Sequence, residues 1–284
     1  AGAYVTDNYI VFGSDDGTKE MDSKTAVLYS CNPVTGEVID TVKEINGDIR
    51  SSIAYDETTK RLYFTTKAGW LYSIKIDENG VFDESSLQML NNGGMSTGTP
   101  VVYNGRAYIG VSGPIQFGPG SSVKVIDVSK LDSGGKMELI YEVETLGYVQ
   151  TSALLSTAYE NKTGKVYIYV TYNGLPGGIY VLEDSVGQTK PKAYPLFTPP
   201  SNMQQHGICS LICDSEGTFY YKNDSGYLMA VAEESRILSR FNDVKKMSGT
   251  MIQSWIWSTK ELLAEPQKPP LAQRRTSREP SFKS

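Results

Sequence analysis

Short runs of β-branched and aromatic residues alternate with polar turns along most of this chain. Between residues 51 and 80 the order is Ser51-Ser52-Ile53-Ala54-Tyr55-Asp56, a turn through Thr58, Thr59 and Lys60, then Arg61-Leu62-Tyr63-Phe64-Thr65-Thr66. Lys67-Ala68-Gly69 follows, then Trp70-Leu71-Tyr72-Ser73-Ile74-Lys75-Ile76 and the turn Asp77-Glu78-Asn79-Gly80. Runs of this length and composition, separated by turn chemistry, predict consecutive antiparallel strands and are too short for helices.

The same order recurs at residues 99–103, 106–110 and 123–127, again at 151–159, 165–170 and 178–182, and once more at 207–213, 218–221 and 226–231. An incomplete copy opens the chain at 9–13, 27–30 and 37–42. A period of roughly 45 to 57 residues with four strands per unit predicts an all-β fold, a β-propeller of four-stranded blades with about five units in residues 1–232. A β-sandwich is the competing architecture, because strands at this spacing occur there too.

The period changes after residue 232. Ile237, Phe241, Val244, Met251, Trp255 and Leu262 share a helical spacing, which predicts an amphipathic helical segment over 233–264 that docks on the propeller. Residues 265–284 are basic, polar and Pro-rich, the composition of a disordered tail.

The first unit carries the most specific wording. Gly13-Ser14-Asp15-Asp16-Gly17, the strand around Leu28-Tyr29, and Asn32-Pro33-Val34-Thr35-Gly36 resemble the repeat of the pyrroloquinoline-quinone-type, or quinoprotein-type, β-propellers. Val38 and Ile39 stand where that repeat usually closes with a Trp. The resemblance covers residues 4–231 and implies a bacterial protein that is secreted or held at the cell surface. The family's quinone-dependent enzymes grip their cofactor with adjacent cysteines, a stacking Trp and calcium. Here Cys31, Cys209 and Cys213 are not adjacent, Trp255 and Trp257 lie outside the repeats, and no quinone or other cofactor is expected.

Composition narrows the partners. The net charge is −5, and the tail holds five basic against two acidic residues, which leaves 22 basic and 30 acidic elsewhere, or −8. An acidic body argues against nucleic acid, whose phosphates need clustered Lys and Arg. No apolar run is long enough for a transmembrane helix. Cys209 and Cys213, four apart on an extended strand, are out of disulfide reach and are expected to be buried small residues.

Catalytic chemistry is sparse. His206 is the sole histidine, which excludes a multi-His metal site, and the acidic turns at 15–17, 77–80 and 223–226 lack the ligand spacing of a calcium loop. The geometry of blades is more informative. The turn between the second and third strands, and the link between blades, open on one face of a propeller. Three enlarged segments, at 14–25, 112–121 and 172–177, fall there, and loops carry function more often than scaffolds do. The expected ligand-binding residues are Arg50, Ser96, Tyr148, Gln150, Gln205 and His206 at the starts of the inner strands, with Phe117 and Tyr172 at the tips of the insertions. The competing account folds each of those two rings back onto its own loop. The predicted function is a non-catalytic binding or scaffolding module for a protein or glycan. The alternative is a propeller enzyme, either a quinone-dependent dehydrogenase remnant or a glycan-degrading enzyme.

Overall fold

A computed structural model describes residues 2–15, 23–114, 120–232 and the strand at 254–256. The described residues form five four-stranded sheets. The first is built from β1 (Tyr4–Val5), β2 (Ile10–Gly13), β3 (Ala26–Cys31) and β4 (Val38–Ile45), so the opening unit is complete rather than partial. The second holds β5 (Ala54–Asp56), β6 (Arg61–Thr65), β7 (Trp70–Ile76) and β8 (Phe82–Asn91), and the third β9 (Val101–Tyr103), β10 (Arg106–Val111), β11 (Ser122–Asp127) and β12 (Glu138–Glu144). β13 (Leu154–Ser156), β14 (Lys165–Thr171), β15 (Ile179–Ser185) and β16 (Ala193–Phe197) form the fourth. A helical turn, α1 (Glu160–Thr163), stands between β13 and β14.

The fifth sheet joins β17 (Ile212–Cys213), β18 (Phe219–Lys222) and β19 (Leu228–Ala232) to β20 (Ser254–Ile256). β20 runs parallel to β19, whereas the other pairings are antiparallel. These three residues lie inside the segment expected to be helical, so that expectation is corrected at this point. The remainder of 233–264, and the tail at 265–284, lie outside the described residues.

Each sheet packs on the next in sequence. One apolar cluster joins the first and second sheets through Val11, Leu28, Phe64 and Ile74, and another joins the second and third through Tyr63, Leu71, Ile109 and Ile126. Tyr108, Val125, Ile168 and Leu182 join the third and fourth, and Ile179, Phe197, Tyr221 and Met229 the fourth and fifth. A sandwich would bury each sheet against one partner; a succession in which the second, third and fourth sheets are covered on both sides is the β-propeller. It also explains why every residue of β6 and β10 is buried and why neither shows a polar face. β8 is mostly exposed or half-buried, because an outermost strand meets solvent.

Turn chemistry fixes the strand ends. Asn32 Oδ1 accepts the amides of Val34 and Thr35, both at 2.9 Å, and Gly36 takes φ 75°, which closes the Asn-Pro-x-Thr-Gly turn as its residues predict. Asp77 Oδ1 does the same for Asn79 and Val81 at 2.9 Å. Blades approach closely where side chains allow: a Cβ on Gly110 would stand 1.9 Å from the carbonyl oxygen of Val149, so this contact requires glycine.

Cys209 is half-buried, Cys213 exposed and Cys31 buried, and all three are unpaired. The expectation that Cys209 and Cys213 are core residues is therefore corrected. β17 is the inner strand of the last sheet, and Ile212 and Cys213 both face solvent there.

Candidate functional site at the propeller axis

One backbone bond repeats from blade to blade. Lys67 N–H donates to Asp48 O at 2.9 Å, Ser112 to Met95 at 2.8 Å, Asn173 to Tyr148 at 2.8 Å and Asp224 to His206 at 2.8 Å. Each ties the residue beyond a second strand to the link that enters the same blade. The bond sets a common register, in which Arg50, Thr97, Gln150 and Ile208 stand two residues after the accepting carbonyl and four before the inner strands β5, β9, β13 and β17.

Those four residues converge. A cavity of about 500 Å³ is lined by all of them together with Gly13, Asp15, Ile49, Lys67 and Met95. One ring position, read from four successive links, thus supplies a cation, a hydroxyl, an amide and an aliphatic side chain. Hydroxyl bonds hold the links in place: Thr65 Oγ1 donates to Gly98 O at 2.9 Å and Thr171 Oγ1 to Cys209 O at 2.6 Å, each reaching the link into the next blade, and Ser96 Oγ donates to Gly110 O at 2.7 Å in the blade its own link enters. The cavity wall is therefore a rigid part of the blade packing.

The charged side is compensated. Arg50 Nε and Nη2 reach the same oxygen of Asp15, at 2.9 and 2.7 Å, and Nη2 lies 3.7 Å from Asp48. Lys67 Nζ stands 3.5 Å from the nearly buried Asp48. Gln150 Oε1 accepts a hydrogen bond from Asn173 Nδ2 at 3.0 Å. Thr97 Oγ1 and Tyr148 Oη lie 2.9 Å apart, and burial pushes the Tyr148 phenol up to about 12, so it stays a neutral hydroxyl.

Of the residues singled out in the sequence, Arg50 and Gln150 line the cavity. Ser96 and Tyr148 are fully buried, where Ser96 ties its link to the blade it enters and Tyr148 holds Thr97. Gln205 and His206 are exposed next to Ile208 and contribute carbonyls rather than side chains to the belt, with Gln205 O accepting from Asn223 Nδ2 at 3.4 Å. Tyr172 is not an exposed loop tip: it is 2% exposed and packs edge-on against Tyr180 with ring centroids 5.5 Å apart. The bond from Asn173 N–H to Tyr148 O continues the strand past residue 171 and turns the Tyr172 ring into the core. Phe117 lies outside the described residues.

Sequence reading missed Thr97 and Ile208. A signal for them exists. The pairs Ser51-Ser52, Gly98-Thr99, Thr151-Ser152 and Cys209-Ser210 each join a small residue to a hydroxyl residue just ahead of an inner strand, and the residue before each pair is the cavity residue.

No protein-family model matches the chain, and no curated protein matches it. Among solved structures, it is similar to that of BamB from Moraxella catarrhalis, at 10% identity and a TM-score of 0.48, over 81% of this chain and 61% of that one. The chain thus spans about three fifths of that protein's length. A likeness at this level carries nothing about ligands or partners.

Proposed function

We propose that this chain is a binding or scaffolding propeller of the quinoprotein-type repeat family, without catalytic role, that takes a partner protein at its axial cavity. The supporting observation is the convergence of one ring position, Arg50, Thr97, Gln150 and Ile208, on a cavity of about 500 Å³. That volume falls within the roughly 300–1,000 Å³ of ordinary ligand sites. Varied side chains on an invariant belt of backbone bonds are what a binding surface on a fixed scaffold requires.

A protein partner fits the lining better than a glycan does. The described lining residues are aliphatic, thioether, amide, hydroxyl and charged, and none is aromatic. Sugar rings are recognised chiefly on exposed aromatic faces, whereas Ile49, Met95 and Ile208 suit aliphatic side chains. The resemblance of the first unit to bacterial surface propellers supports a secreted or cell-surface location. No helix among the described residues is long and apolar enough to cross a membrane.

The test compares two exposed positions at opposite ends of the blades. Ile208 is 61% exposed at the cavity and Val186 is 80% exposed in the turn after β15. A protein retained from a bacterial envelope fraction by the unaltered chain and by Val186→Trp, but lost with Ile208→Trp, is the expected result. Retention by Ile208→Trp at unchanged strength would remove the cavity from consideration.

A further inference from the structure

Resting on the reading of the cavity as the partner site, we infer that it recognises a peptide carboxylate next to an aliphatic side chain. Hydrogen-bonding capacity around the wall is unevenly filled. The charged acceptors there already face cations: Asp15 Oδ2 takes two Arg50 nitrogens, and Asp48 lies 3.5 Å from Lys67 Nζ and 3.7 Å from Arg50 Nη2, while Gln150 Oε1 takes Asn173. Donors are left over. Arg50 Nη1 and Gln150 Nε2 have no protein acceptor among the described residues.

A wall with spare N–H groups and engaged oxygens is complementary to an acceptor-rich ligand. Arginine is the residue best shaped for it, because Nη1 and the second N–H of Nη2 can hold both oxygens of a carboxylate while Nε and the other N–H of Nη2 keep Asp15. The Arg50 side chain is 48% exposed, so its outer edge is reachable, whereas Asp48 keeps Lys67 as a counter-ion whatever Arg50 does. Across the cavity, Ile208 is exposed and Met95 and Ile49 form the floor, which places an apolar side chain beside the anion. A sugar hydroxyl would present donors and acceptors alike and would not select for this surplus.

The carboxylate has two sources in a protein, the chain terminus and an Asp or Glu side chain, and both present the same pair of oxygens. Three fluorescein-labelled peptides separate them: one ending in Ala-Ile-Leu with a free carboxylate, the same peptide amidated, and an amidated version ending in Ala-Ile-Glu. Anisotropy titrations are read on the full chain and on Arg50→Ala, Ile208→Trp and Val186→Trp. The expected result is binding of at least one carboxylate peptide about tenfold or more tighter than the amidated control, with that margin lost in Arg50→Ala and kept in Val186→Trp. Preference for the first peptide assigns the terminus, and preference for the third assigns the side chain. Equal binding of all three that is still lost in Ile208→Trp would overturn the carboxylate inference and leave the cavity as the partner site. Binding indifferent to Ile208→Trp would contradict the cavity reading itself, and no binding of any peptide at about millimolar concentration would overturn the carboxylate inference.

Discussion

Arg50 and Arg106 stand at opposite ends of the blades and use the same guanidinium in opposite ways. Arg106, at the start of β10, is buried and reaches across to the fourth sheet. Its Nη1 bonds both oxygens of Asp184, at 2.9 and 3.2 Å, and its Nη2 donates to Gln188 O at 2.8 Å. Asp184 is fully buried and also accepts the hydroxyls of Tyr108 and Tyr141, at 2.7 and 2.8 Å. Arg61 repeats the device one blade earlier, bonding Asp132 at 3.1 Å and Ser86 O at 3.0 Å. These arginines staple a blade to its successor, and around Asp184 both carboxylate oxygens are filled. Arg50 sits half-exposed on a compensated rim, with Nε and Nη2 on Asp15 and Nη1 without a protein acceptor among the described residues. The contrast teaches that a charged residue in a propeller is read by what remains unpaired around it, since both kinds have an acidic partner.

The largest effect expected from this contrast is at the stapled end. Asp184→Leu leaves the Arg106 charge buried without its counter-ion and strips two phenols of their acceptor, so urea denaturation should show a loss of about 3–5 kcal/mol. Adding Arg106→Met to that variant should restore part of the loss, because an apolar pair replaces an isolated charge. A double variant less stable than the single one would break the account of the staple.

Acid should act on the same end, with a smaller effect. Burial works to raise the carboxyl of Glu183, but the ammonium groups of Lys165 and Lys192 win and hold it below its ordinary 4.5. Burial likewise opposes Asp132, which Lys75 and Arg61 hold below 3.8. A carboxyl with a depressed folded pKa binds fewer protons in the native state than in the unfolded one. Its contribution is therefore complete above those ordinary values and is lost as pH falls through them toward the folded ones. The unfolding midpoint should stay level from neutral pH down to about 5 and fall below about 4.5. Glu183→Gln should flatten that fall, and an acid slope unchanged by the substitution would rule Glu183 out as its source.

The smallest expected effect on stability is at the cavity. Arg50→Ala removes a rim ion pair between two groups nearly half exposed, 48% and 41%, and exposed pairs of this kind contribute about 0–1 kcal/mol. A loss as large as that of Asp184→Leu would place Arg50 among the staples.

Much of the fold was legible because second and third strands are buried between blades and so carry dense apolar runs, as in residues 61–66 and 123–127. The outer strands were harder to place. β8 reads Phe-Asp-Glu-Ser-Ser-Leu-Gln-Met-Leu-Asn, and its mostly exposed faces leave little alternation to detect. β20 was unreadable as a strand, because Trp255 and its neighbours fit a helical spacing equally well. At the candidate site, the links into the blades were legible from strand order, but the phase of each link was not. Tyr148 and Gln150 are two residues apart; one is buried and the other lines the cavity, and the carbonyl belt that distinguishes them leaves no trace in hydrophobicity. Tyr172 misled for a related reason, since a single backbone bond extends the strand there and buries the ring.

Hydrogen–deuterium exchange on the chain, with and without the protein it retains, tests the division between the two ends most directly. The account predicts slowed exchange on binding at residues 48–50, 95–97, 148–150 and 206–208, with the turns at 34–37, 77–80 and 185–188 unchanged. Protection confined to those turns, with the four links unaffected, would contradict it.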